Sequence, residues 1–265
     1  MRISFAQIDA FADAPFTGNP AAVMPLKHWL DDATLQKVAA ENNLSETAFL
    51  VPDASGEADF ELRWFTPSVE VQLCGHATLA SGHFVLSSDE DRDRVRFRTR
   101  RAGVLEVARD AGGYRMALPA YAAAPRPLPA IVAALGLGEA AETLWHPHGY
   151  GLVVLDGADA VRALDPDFRA LAAQADTLTI VTAPGDETDV VSRVFAASAG
   201  IDEDPVTGSA HAVLTPYWAA RLGRAAFTAH QASARGGHLG CELSGDRAIL
   251  TGRCVTVIEG TFLLA

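Results

Sequence analysis

The sequence is poor in cysteine and lysine. Three cysteines in 265 residues (Cys74, Cys241 and Cys254) are too few and too scattered for a disulfide framework, and no C-x-x-C pair is present. That excludes a disulfide-stapled scaffold and points to a reduced, cytoplasmic compartment. No apolar run approaches the ~18 residues of a membrane span. Met1–Ile8 alternates like a strand and lacks the basic head, apolar middle and cleavage site of a secretory signal. The glycines match neither the dinucleotide-binding nor the P-loop spacing, so no nucleotide cofactor is implied. His146-Pro-His148 has the H-x-H spacing of a metal pair, but no third ligand supports it, so no metal is expected. Lys27 and Lys37 are the only lysines, and 21 basic residues against 33 acidic ones leave a net charge of −12. A field of that sign repels phosphate, which makes nucleic acid and an anionic membrane poor partners.

What remains is a globular composition, 49% apolar, long enough for one large domain or two of ordinary size. Pro119–Pro129 holds four prolines in eleven residues, a stiff connector that suggests halves 1–118 and 119–265. A faint repeat supports the division. Cys74-Gly75-His76-Ala77 aligns on Thr207-Gly208-Ser209-Ala210 at an offset of 133, and each leads into a long apolar helix. Such a repeat would set the two glycine turns opposite each other, at a cleft between like-folded halves. Alternating or β-branched runs predict strands at 2–10, 47–51, 58–65, 94–99, 104–108 and 113–118, with later ones at 151–155, 178–182, 190–195, 241–244 and 253–258. Helices are expected at 32–42, 76–87, 129–136, 167–173 and 209–222, with Asp31 or Asp32 capping the first. Helices 76–87 and 209–222 are apolar nearly all round, so each should be wrapped by other elements. The pattern predicts an α+β fold of two halves, each a curled sheet about a central helix.

Three places have the makings of chemistry. Gly75-His76 and Gly208-Ser209 open helices whose first turns carry unpaired N–H groups and partial positive charge, suited to a carboxylate. Glu46 follows Asn42-Asn43, which should stop the first helix, and precedes a strand. A part-buried carboxylate in that setting is what a general base removing a carbon-bound proton requires. Gly200–Ser209 reads as an acidic turn in which Asp204, if turned inward, would accept a hydrogen bond from substrate. Phe11–Ala22 reads as a loop from which Asn19 could touch a ligand. Arg92–Arg101 reads as a strand with one basic face that meets the protein's own acids.

Four ordered segments, DAFADAPFTGNPAAV (9–23), NNLSETAF (42–49), CGHATLASGHFVL (74–86) and GIDEDPVTGSAHAVL (200–214), resemble the PhzF-like isomerases of phenazine biosynthesis. HQASARGGHLG (230–240) is similar to a weaker version of a later segment of that family. The resemblance implies the fold of diaminopimelate epimerase: two pseudo-symmetric domains, each a mostly antiparallel sheet around a central helix, the last strand able to cross back to the first half. It also implies a homodimer, and a proton shift within a small carboxylate-bearing substrate, with neither metal nor organic cofactor. By motif position, Glu46 is the acid/base and His76, Asp204 and Ser209 surround the substrate, with Gly75 and Gly208 giving backbone N–H groups. Cys74 occupies the place of one of the two thiol bases of related epimerases, but the matching position is Thr207. It is read as cleft wall, with a Cys74-assisted epimerase as the alternative. A non-catalytic protein binding a small carboxylate or a partner is the other alternative.

Overall fold

The computed structural model describes residues 1–138 and 142–264. In chain order the first half forms β1 (Arg2–Ala10), β2 (Asn19–Pro25), α1 (Asp32–Asn42), β3 (Glu46–Pro52), β4 (Phe60–Phe65), β5 (Glu70–Val71), α2 (Gly75–Ser87), β6 (Arg94–Thr99), β7 (Val104–Asp110) and β8 (Gly113–Pro119). The second half forms β9 (Ala124–Pro125), α3 (Pro129–Ala134), β10 (Glu142–His146), β11 (Tyr150–Val154), α4 (Ala158–Arg162), α5 (Phe168–Ala172), β12 (Leu178–Pro184), β13 (Val190–Ala196), β14 (Ile201–Asp204), α6 (Gly208–Leu222), β15 (Ala226–Gln231), β16 (Gly237–Ser244) and β17 (Arg247–Gly252). β18 (Cys254–Leu263) pairs antiparallel with β1. The chain accordingly divides into Met1–Leu118 plus the stretch from Thr251 on, and Pro119–Leu250.

The two units repeat one topology. In the first, β1–β2 is antiparallel, β2–β3 parallel, β3–β4 antiparallel, β4–β6 parallel and β6–β7 antiparallel. In the second, β10–β11, β11–β12, β12–β13, β13–β15 and β15–β16 run through the same five senses in the same order. In each, a short strand (β5 or β14) pairs antiparallel and leads straight into the central helix. This is the expected α+β architecture of two pseudo-symmetric, mostly antiparallel halves.

Strand β3 shows why such a sheet is stable. Phe49 and Val51 point to one face and join Leu35, Val38 and Ala39 of α1 in a buried cluster. Ala48 and Leu50, one residue out of phase, serve the opposite face, where α2 lies against β1, β2, β3, β6 and β7. Burial on both faces explains the uninterrupted apolar run. In the second unit Val181 of β12 packs with Ile131, Val161 and Leu171 of α3, α4 and α5. The out-of-phase Thr182 accepts a hydrogen bond from Trp218 Nε1 of α6 at 3.0 Å.

Local signals set the helix ends. Asp31, not Asp32, caps α1 by accepting from Thr34 N–H at 2.9 Å, worth ~1 kcal/mol. Asn43, in the left-handed conformation, ends it. Gly82 of α2 lies where a Cβ would meet Val107 of β7 at 2.4 Å, so helix and sheet pack at backbone distance. Pro216 sits inside α6 and has no N–H for the Ala212 carbonyl, which instead accepts from Tyr121 N–H of the connector at 3.0 Å.

Several elements differ from expectation. Asn19–Ala22, read as loop, forms the start of β2, because β1 and β3 on either side satisfy its backbone. Asp202–Asp204, read as a turn, forms β14 on the edge of β13. β10, β15 and β17 gave no periodic signal clear enough to be expected. The arginine-rich stretch does meet acids: Arg98 of β6 reaches Asp53 and Glu61 at 2.8 Å each, and Arg92, just before β6, pairs with Asp59. Arg63, buried on β4, is held by both Glu70 oxygens (2.7 and 2.8 Å) and by Asp32 at 2.9 Å. Arg63→Ala is expected to cost about 2 kcal/mol in urea unfolding, below the ~3–5 of wholly buried pairs because Asp32 and Glu70 keep water contact. A cost under about 0.5 kcal/mol would mark the cluster as no better than surface ion pairs.

Candidate active site

The first unit brings together four residues from three elements. Asn19 begins β2, Glu46 begins β3, and Cys74 and His76 flank Gly75 at the start of α2. The parallel β2–β3 register, with Ala21 opposite Glu46, fixes the two strand starts side by side. Each is locally braced. Gly18 has φ +67° and lies where any Cβ would meet the Ala10 carbonyl at 2.3 Å, so only glycine fits the turn that delivers Asn19. The Asn42 side chain donates to Thr47 Oγ1 at 3.0 Å, holding the turn that delivers Glu46. Thr78 Oγ1 donates to the Cys74 carbonyl at 2.6 Å, pinning the first turn of α2.

His76 is the hub. Its Nε2 lies 3.0 Å from Glu46 Oε2, and its Nδ1 lies 3.2 Å from Asn19 Nδ2 and 3.5 Å from Cys74 Sγ. The His76 side chain is 4% exposed and that of Glu46 13%, so the carboxylate alone reaches the surface appreciably. Burial works against a charged imidazole, but Cys74 and the Glu46 carboxylate outweigh it and hold the His76 pKa well above the usual histidine range. Of those two neighbours the carboxylate carries the charge. Burial, and then the charge of Glu46, push the Cys74 thiol up to about 11, so it is neutral at physiological pH. The Asn19 amide suits either state of the ring. Its nitrogen donates to a bare Nδ1, and after a half-turn its oxygen accepts from Nδ1–H of the imidazolium.

The second unit holds the other expected residues. Asp204 ends β14, buried, and its carboxylate takes the Thr207 hydroxyl. Gln231, fully buried on β15, donates to the Asp204 carbonyl at 2.7 Å and accepts from Thr207 N–H at 2.9 Å, clamping the turn before α6. Ser209 lies in the first turn of α6, close enough to Tyr150 to act on its phenol, whose pKa burial raises and Ser209 lowers. Neither α2 nor α6 carries a side-chain N-cap, so the N–H groups of Gly75 and Gly208 open their helices uncapped by side chains. Sequence reading missed Asn42, Thr207, Gln231 and Tyr150. In the sequence Asn42 reads only as a helix stop and Thr207 only as a non-thiol counterpart of Cys74, and Gln231 lies in the weakest family segment. His83, two turns along α2 from His76, stands apart: it bonds Tyr114 OH and Thr256 Oγ1 at 3.0 and 2.9 Å. His146 stacks on the Tyr121 ring at 4.9 Å, and His148 meets that ring edge-on at 5.0 Å.

The family model for phenazine biosynthesis-like proteins matches residues 8–260. The chain belongs to this family. It is 46% identical, over 100% of both sequences, to an uncharacterized isomerase of Pseudomonas aeruginosa. The crystal structure of a PhzF-family phenazine biosynthesis protein of Enterococcus faecalis, 41% identical, superposes with a TM-score of 0.91 over 100% of both chains. A hydroxyproline epimerase of Agrobacterium vitis shares the fold at 13% identity, with a TM-score of 0.66 over 98% of this chain and 92% of its own. The protein is thus an isomerase of the phenazine biosynthesis-like family, built on a fold it shares with epimerases. No helix among the described residues is long and apolar enough to cross a membrane.

The His76–Glu46 pair has a pH signature. A histidine whose folded pKa is raised stabilises fully below its ordinary value of 6.5 and loses that contribution as pH rises through the folded value. The melting temperature of wild type should therefore exceed that of His76→Asn most at about pH 6. The gap should narrow toward pH 9, and a gap independent of pH would contradict the raised value.

Proposed function

We propose that the protein is a cofactor-independent isomerase that moves a proton within a small carboxylate-bearing substrate, with Glu46 as the general acid/base. The observation that carries this reading is the part-buried Glu46 carboxylate 3.0 Å from Nε2 of a buried histidine. Glu46 takes a proton from one carbon and, now neutral, returns it to another carbon on the same face of the substrate. His76, kept protonated by its carboxylate neighbour, shares a proton with the substrate's own carboxylate. That lowers the charge next to the ionising C–H bond, as do the N–H groups of Gly75 and Gly208. Asp204 and Ser209 hold polar substituents, the turn that carries Asp204 being fixed by Thr207 and Gln231. Asn19 orients the His76 ring, and Cys74 lines the wall beside it. The same reading makes the protein a cytoplasmic homodimer, in keeping with its three free cysteines.

A Cys74-assisted epimerase is the second reading, favoured by the 3.5 Å approach of the thiol to His76. A thiol pushed up to about 11 is a poor base at neutral pH, which favours Glu46.

Cyclic amino and hydroxy acids that raise the melting temperature should acquire deuterium at carbon when incubated with the protein in D2O. Glu46→Gln, nearly equal in volume, should slow that exchange by about 10²-fold or more. Undiminished exchange by the variant overturns the assignment. Thermal stabilisation without any exchange by wild type would instead describe a binding protein.

A further inference from the structure

We propose that Glu46, Cys74 and His76 together form a binding site for a thiophilic divalent cation of the Zn2+ class, and that the occupied site is an inhibited form of the enzyme. The second half of that statement rests on the role proposed for Glu46; the first rests on geometry alone.

One thiol, one imidazole and one carboxylate each present a ligand atom, and all three atoms lie within 4.8 Å of one another. The centre of a triangle that size is within about 2.8 Å of every corner, so a contraction of about half an ångström gives Zn–S near 2.3 Å and Zn–N and Zn–O near 2.0–2.2 Å. Rotation of side chains alone supplies such a shift. The donor set selects the ion: sulfur and nitrogen exclude Mg2+ and Ca2+, which take oxygen, and suit Zn2+, Co2+ and Cd2+. Nε2 of His76 faces Glu46 at 3.0 Å and Nδ1 faces Cys74 at 3.5 Å, so the ring must turn to bring one nitrogen to the carboxylate and the thiol together. Cys74 and His76 flank one glycine on a pinned helical turn, so the two donors are held without chain rearrangement.

On binding, the cation displaces the Cys74 proton and the proton on the ligating nitrogen of His76 to solvent and bonds the thiolate, the neutral imidazole and the carboxylate, with no change of oxidation state. Three protein ligands leave a fourth position for water or an incoming carboxylate. The lone pairs that Glu46 would use to accept a carbon-bound proton, and the ring nitrogen of His76, are then committed to the ion, so proton transfer stops.

Titration of the reduced full-length protein with Co2+ should show one equivalent with a thiolate-to-cobalt charge-transfer band, abolished by Zn2+. Cys74→Ser and Cys74→Ala should lose the band, and His76→Asn should weaken binding about tenfold or more. The cross-strand pair His230 and His238, stacked at 4.6 Å, offers nitrogen only and gives no such band. X-ray absorption of the zinc-loaded wild type, which needs no variant, should find one sulfur and otherwise nitrogen and oxygen. No thiolate band, a band that survives Cys74→Ser, or a sulfur-free zinc shell overturns the site. Full deuterium exchange by zinc-loaded protein overturns the inhibited form, whereas exchange lost with zinc and restored by a chelator supports it. Retention of exchange by Glu46→Gln would defeat the catalytic reading and with it the inhibited form, and would leave the metal site itself untouched.

Discussion

A helix enclosed by a sheet has almost no free surface except at its ends, and that constraint organises this protein. Along α2 the residues from Gly75 to Gly82 are all buried, so none of its sides is available to a ligand. Its first turn is different, because the N–H groups there have no partners within the helix. Whatever polar chemistry the helix can take part in must gather at that turn. β2 and β3 begin beside it and deliver Asn19 and Glu46, and the helix itself contributes Cys74 and His76. The imidazole at the centre of the group is too buried to be charged on its own account. Cys74 and the Glu46 carboxylate beside it raise its pKa against that burial.

The same frame is used twice with different furniture. Five strand pairings repeat in sense and order, and each ends in a short strand and an apolar helix that begins with glycine. At the first helix the flanking residues are Cys74 and His76; at the second they are Thr207 and Ser209. The first turn gathers a histidine, a carboxylate, an amide and a thiol. The second is a rigid polar site in which a buried glutamine fixes an aspartate and a threonine. The repeated backbone thus gives two similar helix starts, and the residues at two positions around each glycine set them apart.

Much of this was legible in the sequence, for identifiable reasons. The offset of 133 between the glycine turns reflects a backbone repeat that side chains still encode, and the two central helices declare themselves by being apolar all round. Glu46 was legible because Asn42-Asn43 stops α1 immediately before it. Three things were not. β2 looked like a loop because Pro20 and Gly18 signal a turn, and only pairing to β1 and β3 overrides that local preference. β14 looked like a solvated turn because its acids are adjacent, although its end is buried. The clamp by Gln231 joins residues 27 apart on different elements, a contact that no local pattern announces.

Pro216 carries a consequence of its own. A proline within a helix is usually counted as a defect, yet here the carbonyl it leaves idle is the one to which Tyr121 fastens the linking segment. The fastening is main chain to main chain, so it is indifferent to which side chain residue 121 bears. The Tyr121 ring is left to stack with His146 and Tyr150. Position 121 can therefore drift in evolution without loosening the joint, while the joint's true determinant lies almost a hundred residues downstream, in a residue that makes no hydrogen bond there at all.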